Sequence, residues 1–342
     1  MSRRQSAPAG CYLSDEQRNQ EVRRSSVYCH SHAGSEEGLS LADSSAPPSK
    51  ISSWFWATRP FSLSASVAPV LVGSAHAASI ATFNWLLFAV ALTASIAIQI
   101  GTNLTDEYSD HRKHGGAGKL LAPHKVIQRG LLSERAVLIG MITVFGYGIA
   151  GGLFIVSQTG WPILAIGLAS VAAAYLYAGG PFPLGNYGLG EPVVFLFMGP
   201  VMVMGAYYVQ AEDVTWTAFV LSLPVAFIVT AILHCNNLRD ISEDQAVGKR
   251  SIAAAIGVGR SNWLYAALMG AAYLSIIVAS ATGAISVWAL LGLAPAPFAV
   301  DAVRKLFAAE DRPAMNRIMV RSAKVHGWTG VTLAAGLAIA SF

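Results

Sequence analysis

The sequence predicts an all-α membrane protein, a polytopic bundle of nine transmembrane helices. Of its 342 residues, 54% are hydrophobic and only 12% are charged, whereas soluble proteins carry about 25% charged residues. Several apolar runs approach the roughly 20 residues that a helix needs to cross a bilayer. The low charge and the long apolar runs together indicate that much of the surface faces lipid.

The first 53 residues differ from the rest and are predicted to form a disordered cytoplasmic tail. They are rich in serine and charge and show no periodic apolar face, so they cannot bury enough apolar surface to fold. They also lack the apolar core of a secretory signal peptide. Residues 54–342 are then expected to form a single transmembrane domain.

Apolar runs bounded by glycine, proline or charge define the predicted membrane helices in order. Prolines and glycines inside them are compatible with membrane helices, because neighbouring helices can satisfy the freed backbone groups. The nine spans cover 61–78, 84–105, 134–157, 161–178, 189–209, 215–236, 263–281, 284–303 and 323–341.

The connections that join these spans alternate between those without lysine or arginine and those with several. The connections 79–83, 158–160, 210–214 and 282–283 contain neither, whereas those after the second, sixth and eighth spans contain several. This is the positive-inside pattern expected for nine spans with a cytoplasmic N-terminus. The connection 179–188 has no cation and is assigned to the cytoplasm by counting alone. We therefore expect a multi-pass protein of the cell membrane with its polar chemistry on the cytoplasmic side.

Polar and acidic side chains gather at the cytoplasmic end of the second span, in the stretch "NLTDEYSD". The positions i, i+3, i+4 and i+7 lie on one face of a helix, and here they hold Asn103, Asp106, Glu107 and Asp110. Carboxylates stacked on one face repel each other, and near a membrane they also lose hydration. Something must compensate this charge.

A matching group closes the sixth span, in the stretch "NNLRDISEDQAVGKRS", where Asn236, Asp240 and Asp244 follow one another at successive turns. Mg²⁺ prefers carboxylate oxygens and completes its shell with water and substrate phosphate. Two such groups facing each other would hold Mg²⁺ around a diphosphate. Cations that could neutralise the remaining phosphate charge are Arg112, Lys113, Arg239, Lys249 and Arg250.

Two other interpretations of these groups stay open. They could be solvated helix ends, where polar residues gather, or they could mark a proton or cation pathway, as acids in membranes often do. The match between the two groups favours a site over solvated ends. A pathway is disfavoured because the acids lie at span ends on one side of the membrane, with no intermediate step across it.

These residues resemble the UbiA superfamily of membrane prenyltransferases, in which an N-x₃-[DE]-x₂₋₃-D motif on the second helix faces a D-x₃-D motif on the sixth. The longer string "NNLRDISEDQAVGKRS" is similar to the branch that prenylates 1,4-dihydroxy-2-naphthoate for menaquinone. Three further stretches resemble that branch: "ATRPFSLSASVAPVLVGSA", "VIQRGLLS" and "YLYAGGPFPLGNYGLGE". Two positions depart from it, because Glu107 replaces the more usual aspartate and Asp106 fills a slot commonly held by asparagine.

The resemblance implies Mg²⁺-dependent transfer of a polyprenyl group from its diphosphate to an aromatic acid, with loss of CO₂ when the acceptor is dihydroxynaphthoate. The departures leave other acceptors open: 4-hydroxybenzoate, homogentisate, a porphyrin or glycerol phosphate. A membrane transporter is the alternative from another class. The expected partners are the two substrates and the bilayer, and no nucleic acid.

The resemblance also implies roles for individual residues. The metal ligands would be Asn103, Asp106, Glu107, Asp110, Asp240 and Asp244. The catalytic residues would be Asp110, Asp240, Asp244 and Lys249. The substrate-binding residues would be Arg59, Arg112, Lys113, Lys119, Tyr177, Asn236, Arg239 and Lys249. Arg59 could instead anchor the first span at the interface, and Tyr177 could belong to an aromatic belt. His234 shows no ligand spacing and is assigned no role.

Overall fold

The computed structural model describes residues 49–80, 83–114, 125–178, 184–246 and 248–341, and within them the chain forms helices and turns and no strand. The helices are α1 (Lys50–Ala57), α2 (Ser64–Ala78), α3 (Trp85–His114), α4 (Glu134–Thr159), α5 (Trp161–Ala178), α6 (Gly190–Ala211), α7 (Trp216–Arg239), α8 (Ile241–Ala246), α9 (Ile252–Ala281), α10 (Ala296–Phe307) and α11 (Arg312–Ile339). Short 3-10 turns precede α2 and α10, at Pro60–Leu63 and Val287–Leu293.

The predicted all-α membrane fold is confirmed, but the predicted count of nine spans is not. In the described part of the chain, seven helices are long and apolar enough to cross a membrane. α5 contributes only a shorter apolar stretch, Trp161–Ala174, and α11 is not among the seven. Polar residues such as Lys324 and His326 interrupt the apolar sequence of α11 and lower its hydropathy.

The predicted N-terminal tail lies almost wholly outside the described residues and stays a prediction. The described chain begins just before α1, which spans the predicted boundary between residues 53 and 54. Two predicted helices start too late. α11 begins at Arg312 rather than near residue 323. α9 begins at Ile252 rather than near residue 263, with a break at Gly257, whose φ of 78° is left-handed. Polar residues in this first part of α9 hid the helix from an analysis based on apolar runs.

Side-chain caps fix where several helices begin. The hydroxyls of Ser133, Thr215 and Ser251 and the carboxylate of Asp311 each accept a hydrogen bond from the backbone N–H three residues later. Such caps satisfy one of the N–H groups that the first turn of a helix leaves unpaired. These four caps open α4, α7, α9 and α11.

Helices α2, α7 and α11 pack against one another at the centre of the bundle. In the most apolar stretch of α7, 67% of residues are buried inside the protein, against 11% in α4, which lies at the periphery. Glycines allow close approach between the helices. A Cβ added to Gly330 of α11 would lie 2.3 Å from Cβ of Ala68 in α2. Small residues at crossings are the usual means of packing helices in membranes.

Candidate active site

Asn103 fastens α3 to the turn between α1 and α2. Its side chain is buried, and Nδ2 donates to the backbone oxygen of Thr58 at 2.7 Å and to Oγ of Ser62 at 2.8 Å. In the same turn Arg59 has a φ of 50°, which is uncommon for a residue other than glycine. Its guanidinium lies 3.2 Å from Oδ2 of Asp106. The turn thus carries a cation to the acidic motif of α3 and leaves only the amide oxygen of Asn103 as a possible metal ligand.

Glu107 joins α3 to the segment that precedes α4. The residue is 1% exposed. Oε1 accepts a hydrogen bond of 3.0 Å from the backbone N–H of Ile127, and Oε2 lies 3.6 Å from Nζ of Lys125, which is also buried. The carboxylate of Glu107, predicted as a metal ligand, therefore contacts the segment before α4. The spacing of the acids in the sequence did not indicate this contact.

The rest of the α3 motif is only partly described. The helix continues through residue 114, so the backbones of Asp110 and Lys113 lie on it, while their side chains and all of Lys119 lie outside the described residues. Arg112 is exposed and turned toward α4, with Nε 3.6 Å from Oε1 of Glu134. In this arrangement Arg112 contacts none of the predicted metal ligands that the structure describes.

Asp240 lies just after the end of α7 and accepts hydrogen bonds from two arginines. Arg239 reaches both of its oxygens, at 2.9 and 2.7 Å, and Nη2 of Arg312 reaches Oδ1 at 2.7 Å. Arg239 also donates to Oδ1 of Asn236 at 2.7 Å. The other end of the Arg312 guanidinium binds Glu243. The start of α11 thereby supplies a cation to this motif, which the sequence analysis did not predict.

Asp244 pairs with the predicted diphosphate ligand Lys249. The carboxylate is buried, and its Oδ2 lies 2.9 Å from Nζ of Lys249. The backbone N–H of Lys249 also donates to the backbone oxygen of Asp244 at 2.8 Å, and the next N–H, of Arg250, donates to the backbone oxygen of Asn186 at 2.9 Å. The loop after α8 is therefore closed on Asp244 and attached to the segment that leads into α6.

Tyr177, near the end of α5, connects the two motifs. Its hydroxyl interacts electrostatically with Asp106 of the first motif, Asp244 of the second, and Glu191 at the start of α6. The ring lies across Gly190, with the hydroxyl 3.5 Å from the point where a Cβ would stand. The charges of both motifs predicted from sequence therefore act on one aromatic side chain.

A buried polar group beside this site was missed by the sequence analysis. Oε1 of Glu191 lies 3.1 Å from both Nδ1 of His234 and Nδ2 of Asn237, and Nε2 of His234 lies 3.2 Å from the backbone oxygen of Ser261. The signal that could have found it is Glu191 itself, an acid inside an apolar span, because such acids are usually functional.

The described residues fit a hard divalent cation in the type of donor they offer. The acids are all oxygen ligands of the kind that Mg²⁺ prefers. Oδ2 of Asp244 and Oε2 of Glu107 are buried, and each lies beside a lysine ammonium group. Within the described part of the chain, no three acidic, histidine or cysteine side chains converge on one point. Metal binding would thus require the carboxylates to exchange their basic partners for the ion.

Comparison with known proteins gives the same family as the sequence motifs. A profile of the UbiA prenyltransferase family matches residues 66–340. A 1,4-dihydroxy-2-naphthoate octaprenyltransferase of Bacillus subtilis is 33% identical over 287 residues, which cover 83% of this chain and 92% of the relative. A 2-carboxy-1,4-naphthoquinone phytyltransferase of Synechocystis is 28% identical over 311 residues, or 88% of this chain and 97% of the relative.

Among solved structures, a UbiA homolog from Aeropyrum pernix K1 superposes with a TM-score of 0.61 at 12% identity, over 80% of this chain and 97% of the other. At that identity the likeness shows the fold alone. The family profile covers most of the chain, and the curated relatives carry the names of prenyltransferases. The chain therefore belongs to the UbiA prenyltransferase family.

Proposed function

We propose that this prenyltransferase transfers a polyprenyl group from its diphosphate to 1,4-dihydroxy-2-naphthoate, with loss of CO₂, as a step of menaquinone biosynthesis. The observation that carries the proposal is the likeness to naphthoate octaprenyltransferases over most of the chain. The string "NNLRDISEDQAVGKRS" supports the same acceptor, and within it Asp240 pairs with Arg239 and Asp244 pairs with Lys249.

Metal dependence goes with membership of this family, and Mg²⁺ is the ion that we propose. Asp106, Asp110, Asp240 and Asp244 would hold it, with the amide oxygen of Asn103 as a further ligand. A bound Mg²⁺ withdraws charge from the diphosphate and makes it a better leaving group. Glu107 was predicted with this set, and its contacts with Ile127 and Lys125 leave its part in metal binding as a prediction.

The basic side chains of the site have a second role in this proposal. Arg59, Arg239, Lys249 and Arg312 each pair with a motif carboxylate. When the carboxylates bind metal, these cations are released to contact the diphosphate oxygens, where charge-assisted hydrogen bonds are strong. The chain thereby holds the leaving group at the ends of α3 and α7 while the isoprenoid tail lies among the apolar helices.

The charged loops also indicate where the protein lies in the cell and how it is oriented in the membrane. Lysines and arginines lie in the loop after α3, in the loop between α8 and α9, and on the adjoining ends of α10 and α11, and such basic segments lie on the cytoplasmic side. We therefore propose a multi-pass protein of the cytoplasmic membrane with its N-terminus and its active site facing the cytoplasm.

The test is prenyl transfer by purified protein. The protein, in lipid nanodiscs, is incubated with Mg²⁺, a radiolabelled prenyl diphosphate and each acceptor in turn: dihydroxynaphthoate, 4-hydroxybenzoate, homogentisate, a porphyrin and glycerol phosphate. A lipid-soluble labelled product with dihydroxynaphthoate, abolished by EDTA, is expected. Product with another acceptor alone would replace the acceptor, and no product with any would overturn the function.

Asp240→Asn tests the site. We expect the rate of transfer to fall at least about 100-fold, because a carboxylate that supports a metal contributes several kcal/mol of transition-state stabilisation. Asp213→Asn is the matched control, since Asp213 is exposed and lies just before the opposite end of α7. Normal activity in Asp240→Asn would contradict the proposed site.

A further inference from the structure

The carboxylate of Glu191 is held firmly through one of its two oxygens. Glu191 lies in the first turn of α6 and is 5% exposed. Its Oε1 receives two contacts of 3.1 Å from α7, from Nδ1 of His234 and from Nδ2 of Asn237. His234 is itself fixed by the 3.2 Å contact between Nε2 and the backbone oxygen of Ser261 in α9. Three helices thus determine where this carboxylate lies.

The imidazole ring of His234 is held at both of its nitrogens. Both ring nitrogens face oxygen atoms, from Glu191 and from Ser261. Oε1 is therefore occupied by contacts from α7.

The second oxygen of Glu191 has no hydrogen-bond donor among the residues that the structure describes. Oε2 is buried, and a buried acceptor left without a hydrogen bond is destabilising. Most buried polar side-chain atoms have a hydrogen-bond partner, so this oxygen, on a carboxylate whose other oxygen is held by two contacts, is a candidate contact for a ligand. A ligand hydroxyl is a group that could complete this set.

Glu191 and the motif acids have Tyr177 as a common neighbour, which relates Glu191 to the place where a substrate would bind. Tyr177 packs across Gly190, the neighbour of Glu191 in the chain, and its hydroxyl interacts with the charges of Glu191, Asp106 and Asp244. Glu191 is not one of the predicted metal ligands, and the described structure gives it no basic side chain other than His234. Its position therefore suits a part of the substrate other than the diphosphate.

We propose that Oε2 of Glu191 binds the ring hydroxyl of the aromatic acceptor and takes its proton during transfer. This inference rests on the proposed function, because it assigns the hydroxy-aromatic substrate to a particular side chain. His234 and Asn237 are positioning residues in this proposal, since they hold Oε1 and leave Oε2 for the substrate.

The proton transfer balances within one reaction cycle. As the ring carbon bonds to the allylic carbon, the C–O bond to diphosphate breaks and diphosphate leaves. The ring then carries positive charge, so the hydroxyl becomes acidic and its O–H bond gives the proton to Oε2. Loss of the carboxyl group from the prenylated carbon as CO₂ returns an electron pair to the ring, and the proton goes back to the oxygen. A positioned base of this kind contributes about 10²–10⁴-fold to a rate.

The test pairs Glu191→Gln with an acceptor that lacks the hydroxyls. Binding of dihydroxynaphthoate and of 2-naphthoate, which has the same ring and carboxylate, is measured by ligand fluorescence without prenyl donor. Hydrogen bonds to a charged group contribute about 1.5–3 kcal/mol, so wild-type protein should prefer the dihydroxy compound by about 10-fold or more. Glu191→Gln should lose most of this preference, bind 2-naphthoate as before, and transfer prenyl groups at least about 100-fold more slowly.

Two variants separate this role from a structural one. Glu212→Gln changes the exposed glutamate that follows the other end of α6 and should behave as wild type. Glu191→Asp keeps the charge and should keep part of the preference for the hydroxyl. If Glu191→Gln weakens both naphthoates equally, or keeps the full preference, the inference is wrong. If the wild-type protein prenylates no aromatic acceptor, the proposed function is wrong and this inference is wrong with it. If the wild-type protein is active and Glu191→Gln keeps the preference for the hydroxyl compound, only this inference is wrong.

Discussion

Replacing Gly330 with alanine should loosen the centre of the bundle. The added Cβ would lie 2.3 Å from Cβ and 2.8 Å from Cα of Ala68, whereas carbon atoms in contact stand about 3.5–4.0 Å apart. The two helices would have to separate by more than about 1 Å, because the contact is with backbone and a methyl group that cannot rotate away. Overpacking of this kind costs about 1–3 kcal/mol, and we expect a value near the upper end.

Gly270→Ala is the matched control for this change. Gly270 lies within α9, and a Cβ there would meet nothing within 4 Å. Both substitutions bring the same gain in helix propensity, about 1 kcal/mol, so the difference between the two variants isolates the clash at about 3 kcal/mol. Unfolding in mixed detergent micelles measures it. Equal stabilities of Gly330→Ala and Gly270→Ala would refute the close packing of α2 against α11.

Two further predictions concern buried polar contacts. In the same unfolding assay, Lys125→Met should destabilise the protein by about 3–5 kcal/mol, because it leaves the carboxylate of Glu107 buried without its partner. Adding Glu107→Gln should recover much of this loss. A double variant as unstable as the single one would contradict the pairing. Tyr265→Phe removes the 2.6 Å hydrogen bond between Tyr265 of α9 and Ser322 of α11. It should lower the free energy of unfolding by only about 0.6 kcal/mol, the average for such bonds in membranes. A decrease above about 2 kcal/mol in the same assay would contradict this prediction.

Apolar runs predicted most of the helices because a membrane imposes the same requirement on every span. Lipid offers no hydrogen bonds, so an apolar run of sufficient length has few alternatives to a helix. Apolar runs are less accurate about where a helix ends. The second span was predicted to end at residue 105, where charge begins, yet α3 continues to His114. Hydropathy reports where lipid ends, whereas backbone hydrogen bonding decides where the helix ends.

The acidic motifs could be found from spacing, but their partners could not. Periodicity places Asn103 and Glu107 on one face of α3, and it contains nothing about the chain that folds back onto that face. The contacts of Glu107 with Ile127 and Lys125 depend on how the segment before α4 returns to α3. Arg312 is a similar case, since its 2.7 Å contact with Asp240 joins residues 72 positions apart.

The ion pairs at the ends of α3 and α7 have a consequence for how the protein is assembled. Each motif carboxylate whose side chain is described already has a basic counterion within the chain. A protein that relies on a metal to neutralise such a cluster folds only when the metal is supplied. Here the chain carries its own neutralising charges, so folding would not depend on the Mg²⁺ that we propose. Under that proposal, binding of substrate and metal would be an exchange of partners among charges that are already in place.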